Sequence, residues 1–164
     1  MAKKESTFPN MLITLLVITA ASATSLGYIY EITKSPIEQA KLNKKIQAIK
    51  QVVPSFDNDP NKEMYQLETS DGSALEAYPA KLQDSLVGTA VRTFTKNGFS
   101  GDVWLMVGFA TDGSITGISV LEHKETPGLG TKMGDPEFKN QFTNKNPQTF
   151  KLQVKKDGGD VDAI

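Results

Sequence analysis

The sequence predicts an α+β protein: a single N-terminal transmembrane helix followed by a small domain with a twisted antiparallel sheet and flanking helices. Residues 6–30 form a run of 25 residues without a charged side chain. Five short segments with alternating apolar residues come later and are separated by turn dipeptides. We expect a cytoplasmic stub and anchor over residues 1–34, a juxtamembrane helix over 35–54 and the domain over 55–164.

Composition excludes several classes of site. The chain has 164 residues and a net charge of −1, so it is long enough for one domain plus an extension and has no general nucleic-acid footprint. It has no cysteine and one histidine, which excludes disulfides, thiolate nucleophiles and multi-histidine metal sites. Residues 57–68 approach the spacing of a calcium loop, but Lys62 replaces the required glycine and Pro60 intrudes. We therefore expect a solvated acidic turn and no metal.

The amino-terminal apolar run favours a membrane anchor. Its core, residues 11–20, is strongly apolar, and a spanning helix needs about 20 such residues. Lys3 and Lys4 precede the run and favour a cytoplasmic amino terminus, while Tyr28 and Tyr30 suit the opposite interface. This arrangement puts the following domain on the periplasmic or extracellular side of the inner or cell membrane.

A cleaved signal peptide is the alternative interpretation of the same run. Ala21-Ser22-Ala23 fits a small-residue cleavage site after a charged and an apolar region. The apolar stretch continues beyond this site through Leu26 and Ile29, so we favour a retained anchor. Both interpretations send the domain to the same side of the membrane.

A second helix is predicted directly after the anchor. Ser35-Pro36-Ile37-Glu38 combines a hydroxyl N-cap, a proline at the first helical position and a glutamate three residues after the cap. Apolar residues then recur on one helical face until Pro54, at Leu42, Ile46, Ile49 and Val53.

The middle of the chain predicts a meander of strands. Alternating apolar residues indicate strands over residues 64–68, 74–78, 86–95, 102–109 and 115–121. Asp71-Gly72, Asn97-Gly98 and Asp112-Gly113 supply turns between them. Beyond the strands we expect a short helix from Asp135 to Phe142 and a further strand over residues 149–154.

The last predicted strand leads into a loop of unusual composition. Residues 123–130 read His-Lys-Glu-Thr-Pro-Gly-Leu-Gly and include the only histidine of the chain. Pro127 restricts the backbone, whereas Gly128 and Gly130 permit positive φ and close backbone approach. A shaped loop is therefore expected, with amides free to face a bound group. Composition alone assigns it no chemistry, because most Pro-Gly turns are only turns.

The run over residues 117–130, Gly-Ile-Ser-Val-Leu-Glu-His-Lys-Glu-Thr-Pro-Gly-Leu-Gly, resembles the G subunit of Rnf-type ion-translocating complexes, a member of the FMN-binding domain family. The C subunit of the sodium-pumping NADH:quinone reductase has a similar loop. The resemblance extends to the amino-terminal span, the Gly98-Phe99-Ser100-Gly101 turn and the Asp162 region. It implies an FMN flavoprotein that carries electrons in a membrane-bound ferredoxin:NAD oxidoreductase complex coupled to ion translocation. Other membrane subunits would be its partners.

The same resemblance implies covalent attachment of FMN. In that family the phosphate is joined to the last threonine of an Asp-x-x-Ser/Thr-Gly-Ala-Thr motif. Asp162-Ala163-Ile164 supplies only the first three positions. The attachment threonine is therefore expected beyond Ile164, and we expect the sequence to be truncated.

The resemblance also implies a flavin environment but no catalytic residue. Leu129 would pack on the ring, Thr126 and Thr131 would offer hydroxyls, and Lys132 would stabilise negative charge on a reduced flavin. For His123 we favour a structural hydrogen bond at the end of the strand. The candidate cofactor-binding residues are Glu125, Thr126, Leu129, Gly130, Thr131 and Lys132.

Two other functions remain open from the sequence. One is an exported FMN-binding protein that works outside such a complex. The other is a flavin-free scaffold that tethers partners to the membrane.

Overall fold

The computed structural model describes residues 7–69, 72 and 74–163. A long helix comes first and an antiparallel sheet of five strands follows, in the spatial order β1-β2-β3-β4-β5. The predicted α+β architecture is confirmed. The chain divides into two compact units, Met1–Asn43 and Lys44–Ile164. The elements are α1 (Phe8–Val52), β1 (Tyr65–Glu68), β2 (Ala74–Leu82), β3 (Ser85–Thr95), β4 (Val103–Phe109), β5 (Ile115–Glu122) and α2 (Pro136–Lys139).

The first unit contains the apolar part of α1. This part is long and apolar enough to cross a membrane: an 18-residue window has a mean hydropathy of 1.8, and none of it is buried. Threonine hydroxyls within it donate to backbone carbonyls one turn earlier, as Thr14 does to Asn10 at 2.7 Å and Thr24 does to Ala20 at 2.8 Å. These bonds satisfy the hydroxyls without a partner outside the helix.

The predicted helix start at Ser35 is wrong. Helix α1 continues without a break through Ser35 and Pro36 and ends at Val52, two residues before Pro54. A capping sequence is a local signal, and here the residues before Ser35 are already helical, so Pro36 is accommodated inside the helix. The predicted end at Pro54 is confirmed.

The predicted strands and turns are observed with small changes of boundary. Strand β2 extends four residues beyond the predicted end at Tyr78, to Leu82, and pairs antiparallel with β3. At the β4–β5 turn, the Asp112 carboxylate accepts hydrogen bonds from the backbone amide of Ser114 at 2.9 Å and from its hydroxyl at 2.5 Å. These bonds lower the pKa of Asp112, the Ser114 hydroxyl contributing most. Asp71 of the predicted first turn lies outside the described residues.

The core of the second unit lies between the last turns of α1 and one face of the sheet. Ile49 and Val52 are 1% and 2% exposed and pack with Tyr78 and Met106 from the strands. The final turn of α1 approaches the sheet closely because three neighbouring strand positions there are glycines, Gly88, Gly108 and Gly117. A Cβ at Gly108 would overlap the carbonyl oxygen of Val52, so the backbone itself forms this contact.

The region after the sheet agrees with the prediction in one part and differs in another. A short helix after Asp135 is confirmed as α2, which continues into a 3₁₀ turn over Asn140–Phe142, although the Asp135 side chain makes no capping bond. The predicted strand over residues 149–154 is wrong, because only Val154 forms a bridge, with Val161. The amide of Phe150 instead bonds the Asn146 carbonyl at 2.8 Å, which closes a turn.

Candidate functional site

The loop over residues 123–130 is attached to the β3–β4 turn by one side chain. Glu125 turns inward, and its carboxylate Oε1 accepts a hydrogen bond from the backbone amide of Ser100 at 3.0 Å. The two residues are 25 positions apart, and each belongs to a different connection at the same end of the sheet. We call this pair the Glu125 clamp.

Glycines line the clamp on both sides. At Gly130, an added Cβ would lie 2.7 Å from Glu125 Cβ and 2.8 Å from its Oε2. At Gly98, an added Cβ would lie 2.9 Å from Glu125 Oε1 and would overlap the Gly101 carbonyl oxygen. The Glu125 side chain therefore fits only because both neighbours lack a side chain.

The loop between these points is held by its own hydrogen bonds. The amide of Gly128 donates to the Thr131 hydroxyl oxygen at 2.9 Å, and the amide of Leu129 donates to the Thr126 carbonyl at 3.2 Å. Gly128 has a φ of +78°, a conformation that residues with side chains rarely adopt. A 3₁₀ turn over Gly130–Gly134 follows directly. The loop is thus a defined structure with its polar backbone partly satisfied internally.

The six predicted site residues divide into two groups in the structure. Glu125, Gly130 and Thr131 face the loop interior and hold its shape. Thr126, Leu129 and Lys132 are exposed, and Leu129 is 67% exposed despite its apolar side chain. The outer surface of the loop therefore presents an apolar group, a hydroxyl and an ammonium within seven residues of chain.

His123 has the structural role expected from the sequence. Its Nδ1 accepts a hydrogen bond from the backbone amide of Glu125 at 3.2 Å. This bond lies directly after β5, next to the residue that forms the clamp.

Phe99 is a residue of the site that sequence reasoning passed over as part of a turn. It lies beside Ser100 of the clamp and is 96% exposed, the highest value among the large apolar side chains described. The sequence does indicate this exposure, because an aromatic residue between glycine and serine at a hairpin tip has no neighbours to pack against. Phe99 and Leu129 are thus exposed apolar side chains on the two connections that the Glu125 clamp joins.

A charged and aromatic cluster lies on β2, β3 and β4. The Arg92 guanidinium is 2.8 Å from the Glu76 carboxylate and 4.1 Å from the Trp104 ring centroid. Trp104 also stacks on Phe94 at 4.6 Å, and the Tyr78 hydroxyl donates to Glu76. The Arg92 and Glu76 charges of the cluster pair with each other. We therefore interpret the cluster as part of the structural framework of the sheet.

The contacts within this cluster shift the pKa values of two of its groups. Partial burial of Glu76 acts to raise its pKa, but the Tyr78 hydroxyl bond and the Arg92 charge outweigh it, so the pKa lies below its ordinary value. Burial, together with the Glu76 carboxylate, raises the pKa of Tyr78 far above its usual value.

The residues around Asp162 are fixed by side chains from earlier elements. The backbone amide of Asp162 donates to the Gln141 side-chain oxygen at 2.6 Å, and the Lys155 ammonium is 2.6 Å from the Asp162 carboxylate. Val161 beside it is 5% exposed. Asp162 is therefore held through both its backbone and its side chain.

Comparisons with known proteins bear directly on this geometry. The FMN-binding domain family matches residues 98–164, so its match begins at Gly98 and includes both parts of the Glu125 clamp. The G subunit of the Na⁺-translocating ferredoxin:NAD⁺ oxidoreductase complex of Acetobacterium woodii is 32% identical over 149 residues, covering 86% of this chain and 72% of the relative. The G subunit of the ion-translocating oxidoreductase complex of Vibrio cholerae (strain O395) is 32% identical over 161 residues, covering 90% and 76%.

This chain belongs to the family of G subunits of ion-translocating oxidoreductase complexes. The corresponding protein of Erwinia tasmaniensis agrees, with 34% identity over 161 residues and coverage of 92% and 76%. The family resemblance and the FMN-binding domain predicted from the loop are both confirmed. With its apolar helix, this member of the family is a membrane-associated flavoprotein.

The outer surface of the loop is chemically suited to FMN. The ring system of FMN is flat and apolar with polar edges, and its tail carries a phosphate. Leu129 offers exposed apolar area, Thr126 an exposed hydroxyl and Lys132 a positive charge. The polar groups of Glu125 and Thr131 are engaged inside the loop, so they support this surface from beneath.

Proposed function

We propose that this chain is the flavoprotein electron-carrier subunit of a membrane-bound ferredoxin:NAD oxidoreductase complex that couples electron transfer to ion translocation. The observation that carries the proposal is the similarity to relatives of this family over 86–92% of the chain, combined with an FMN-binding domain around a preformed loop. The other membrane subunits of such a complex are its partners. A single span forms no channel by itself, so the ion pathway belongs to those partners.

The chain's own residues have binding and positioning roles in this proposal. FMN supplies the electron-transfer chemistry when bound. Leu129 packs on the apolar face of the flavin ring, and the Thr126 hydroxyl hydrogen-bonds a polar edge of that ring. The Lys132 ammonium stabilises negative charge on the flavin. Glu125, Gly130 and Thr131 keep the loop in the shape that presents these three side chains. Electron transfer between carriers needs no nucleophile from the protein, and none is assigned.

We also propose that FMN is attached covalently through its phosphate to a threonine, as the family resemblance implies. Asp162 would be the first position of the attachment motif. Its bonds to Gln141 and Lys155 support this assignment, because they fix the position and direction of the backbone at that point.

We propose the anchor over residues 1–34 with a cytoplasmic amino terminus and the domain on the outer side. Lys3 and Lys4 favour this orientation. Lysines also follow the span, at positions 34, 41, 44, 45 and 50, but large domains are translocated largely regardless of their charge. Protease added to intact cells or right-side-out vesicles tests the orientation. It should degrade the domain without lysis, whereas degradation only after lysis would reverse the orientation.

The electron-carrier function is tested by removing and restoring the gene. Membranes from a deletion strain should lose ferredoxin-dependent NAD⁺ reduction, and the wild-type gene should restore it. A gene carrying Leu129→Asp should restore less activity, because a carboxylate replaces the proposed apolar ring contact, while the exposed-site control Leu152→Asp should restore it fully. Membranes without the protein that retain full activity would contradict the proposal.

A further inference from the structure

A polar cavity of about 280 Å³ lies beside β5, apart from the outer surface of the loop. One wall is the last part of α1, the second is the end of β5, and the third comes from the segment that holds Gly134 and α2. All three walls belong to the second compact unit. The polar groups in its lining are Lys44, Gln47, Gln51, Ser119 and Lys139.

Both charged side chains that line the cavity are positive. Lys44 and Lys139 line it from different elements, and among the described residues no aspartate or glutamate contributes to the lining. Within the described part of the chain, neither ammonium lies within ion-pair distance of a carboxylate. Two positive charges that share a cavity without an internal counterion favour an anion from outside the chain.

Two donors of the cavity, Lys44 and Gln51, are held in position before any ligand binds. The Lys44 ammonium donates to the carbonyl of Leu121, which fixes it at the wall and leaves its remaining N–H groups available. Ser119 is 9% exposed, and its hydroxyl donates to the Gln51 side-chain oxygen at 3.1 Å. This contact orients the Gln51 amide, whose nitrogen remains a donor. Fixed donors lose little conformational entropy on binding.

We propose that this cavity binds the phosphate group of a small phosphate ester. Lysine ammonium groups bind phosphate as point charges, and side-chain amide donors such as that of Gln51 complete its oxygen contacts. The volume is near the lower limit of ligand pockets, about 300 Å³, which suits a phosphate ester headgroup and not a whole flavin nucleotide. Two sources have this chemistry, an anionic phospholipid headgroup and a soluble phosphate monoester. The proposal does not depend on the flavin surface, because the two share no side chain.

Binding to the full chain distinguishes these sources. In one arm, sn-glycerol 3-phosphate is titrated calorimetrically into the detergent-solubilised protein at constant ionic strength, since salt screens such contacts. In the other, hydrogen exchange at Ser119–Leu121 is compared between nanodiscs of phosphatidylcholine and nanodiscs that also contain phosphatidylglycerol. Saturable binding in the first arm identifies a soluble ester, and protection only with phosphatidylglycerol identifies the lipid headgroup.

Matched variants test whether the observed binding takes place in the cavity. Lys139→Gln and Lys44→Gln should each weaken the observed binding about tenfold or more, since a charge-assisted contact is lost. Lys44→Arg should retain most of it. Lys50→Gln removes one positive charge from the same helix outside the cavity and should leave binding unchanged. The absence of binding in both arms, or an equal loss with Lys50→Gln, would overturn the proposal.

Discussion

The carboxylate of Glu125 and the backbone amide of Ser100, 3.0 Å apart, join the two connections at one end of the sheet. Because Gly98 and Gly130 border the carboxylate, the clamp occupies a space that tolerates no additional side chain. The shape of the loop that we propose to bind flavin therefore depends on this contact.

Loss of the clamp should loosen the loop while leaving the sheet folded. In Glu125→Ala the Ser100 amide loses its acceptor, so we expect a destabilisation of about 1–2 kcal/mol and faster hydrogen exchange at residues 98–101 and 124–130. The control Glu122→Ala removes an exposed carboxylate from the end of β5 and should change neither the stability nor the hydrogen exchange of these residues. Unchanged exchange at Ser100 in Glu125→Ala would contradict the role of the clamp.

Gly130 should tolerate no β-branched residue. Gly130→Val would drive a Cβ against Glu125, displace the loop and shift the flavin absorption spectrum and reduction potential, with the fold largely retained. The control Gly134→Val places its side chain where no atom lies within 4 Å of an added Cβ. An unaltered flavin spectrum and potential in Gly130→Val would refute the placement of the flavin at this loop.

The contact between α1 and the sheet should be the most sensitive point of the core. Gly108→Ala forces a methyl group into the Val52 carbonyl, and we expect a loss of about 3 kcal/mol or failure to fold. Gly117→Ala meets the Val52 Cα at 3.3 Å and should cost clearly less. Thermal unfolding of both variants measures which one loses more stability. An equal loss, or a larger loss in Gly117→Ala, would contradict the close approach at Gly108.

The Glu76 carboxylate should contribute to stability at neutral pH and lose that contribution in acid. Its pKa is lower in the folded than in the unfolded state, so the contribution is present above the unfolded pKa and disappears as the pH falls through the folded pKa. Glu76→Gln should therefore lower the unfolding temperature at pH 7 and differ less from wild type near pH 3. A difference that is constant with pH would contradict the assignment, and Asp102→Asn serves as the exposed control.

Local patterns predicted the strands well but not every helix boundary. Alternating residues and turn dipeptides located all five strands within a few residues, since pairing between sequence neighbours preserves such patterns. The capping sequence at Ser35 failed because it cannot report that the residues before it are already helical. The strand expected over residues 149–154 failed because the Asn146 carbonyl and the Asp160 side chain bond its backbone amides instead.

The candidate site was predicted in part. The loop over residues 123–130 stood out by composition, and the resemblance supplied its chemistry. The inward direction of Glu125 was not predictable, because its partner is 25 residues away on a separate turn. The exposure of Phe99 likewise depends on the packing around a hairpin tip.

Whether this chain carries covalent FMN is tested most directly on the protein isolated from its native membranes. Intact mass and in-gel fluorescence are measured after denaturation, and the mass also reports whether Ala21-Ser22-Ala23 is cleaved. We expect a mass increase of one FMN less one water, with fluorescence that survives denaturation. An unmodified mass with no flavin released, from cells that contain the attaching enzyme, would contradict the account and leave a flavin-free membrane scaffold.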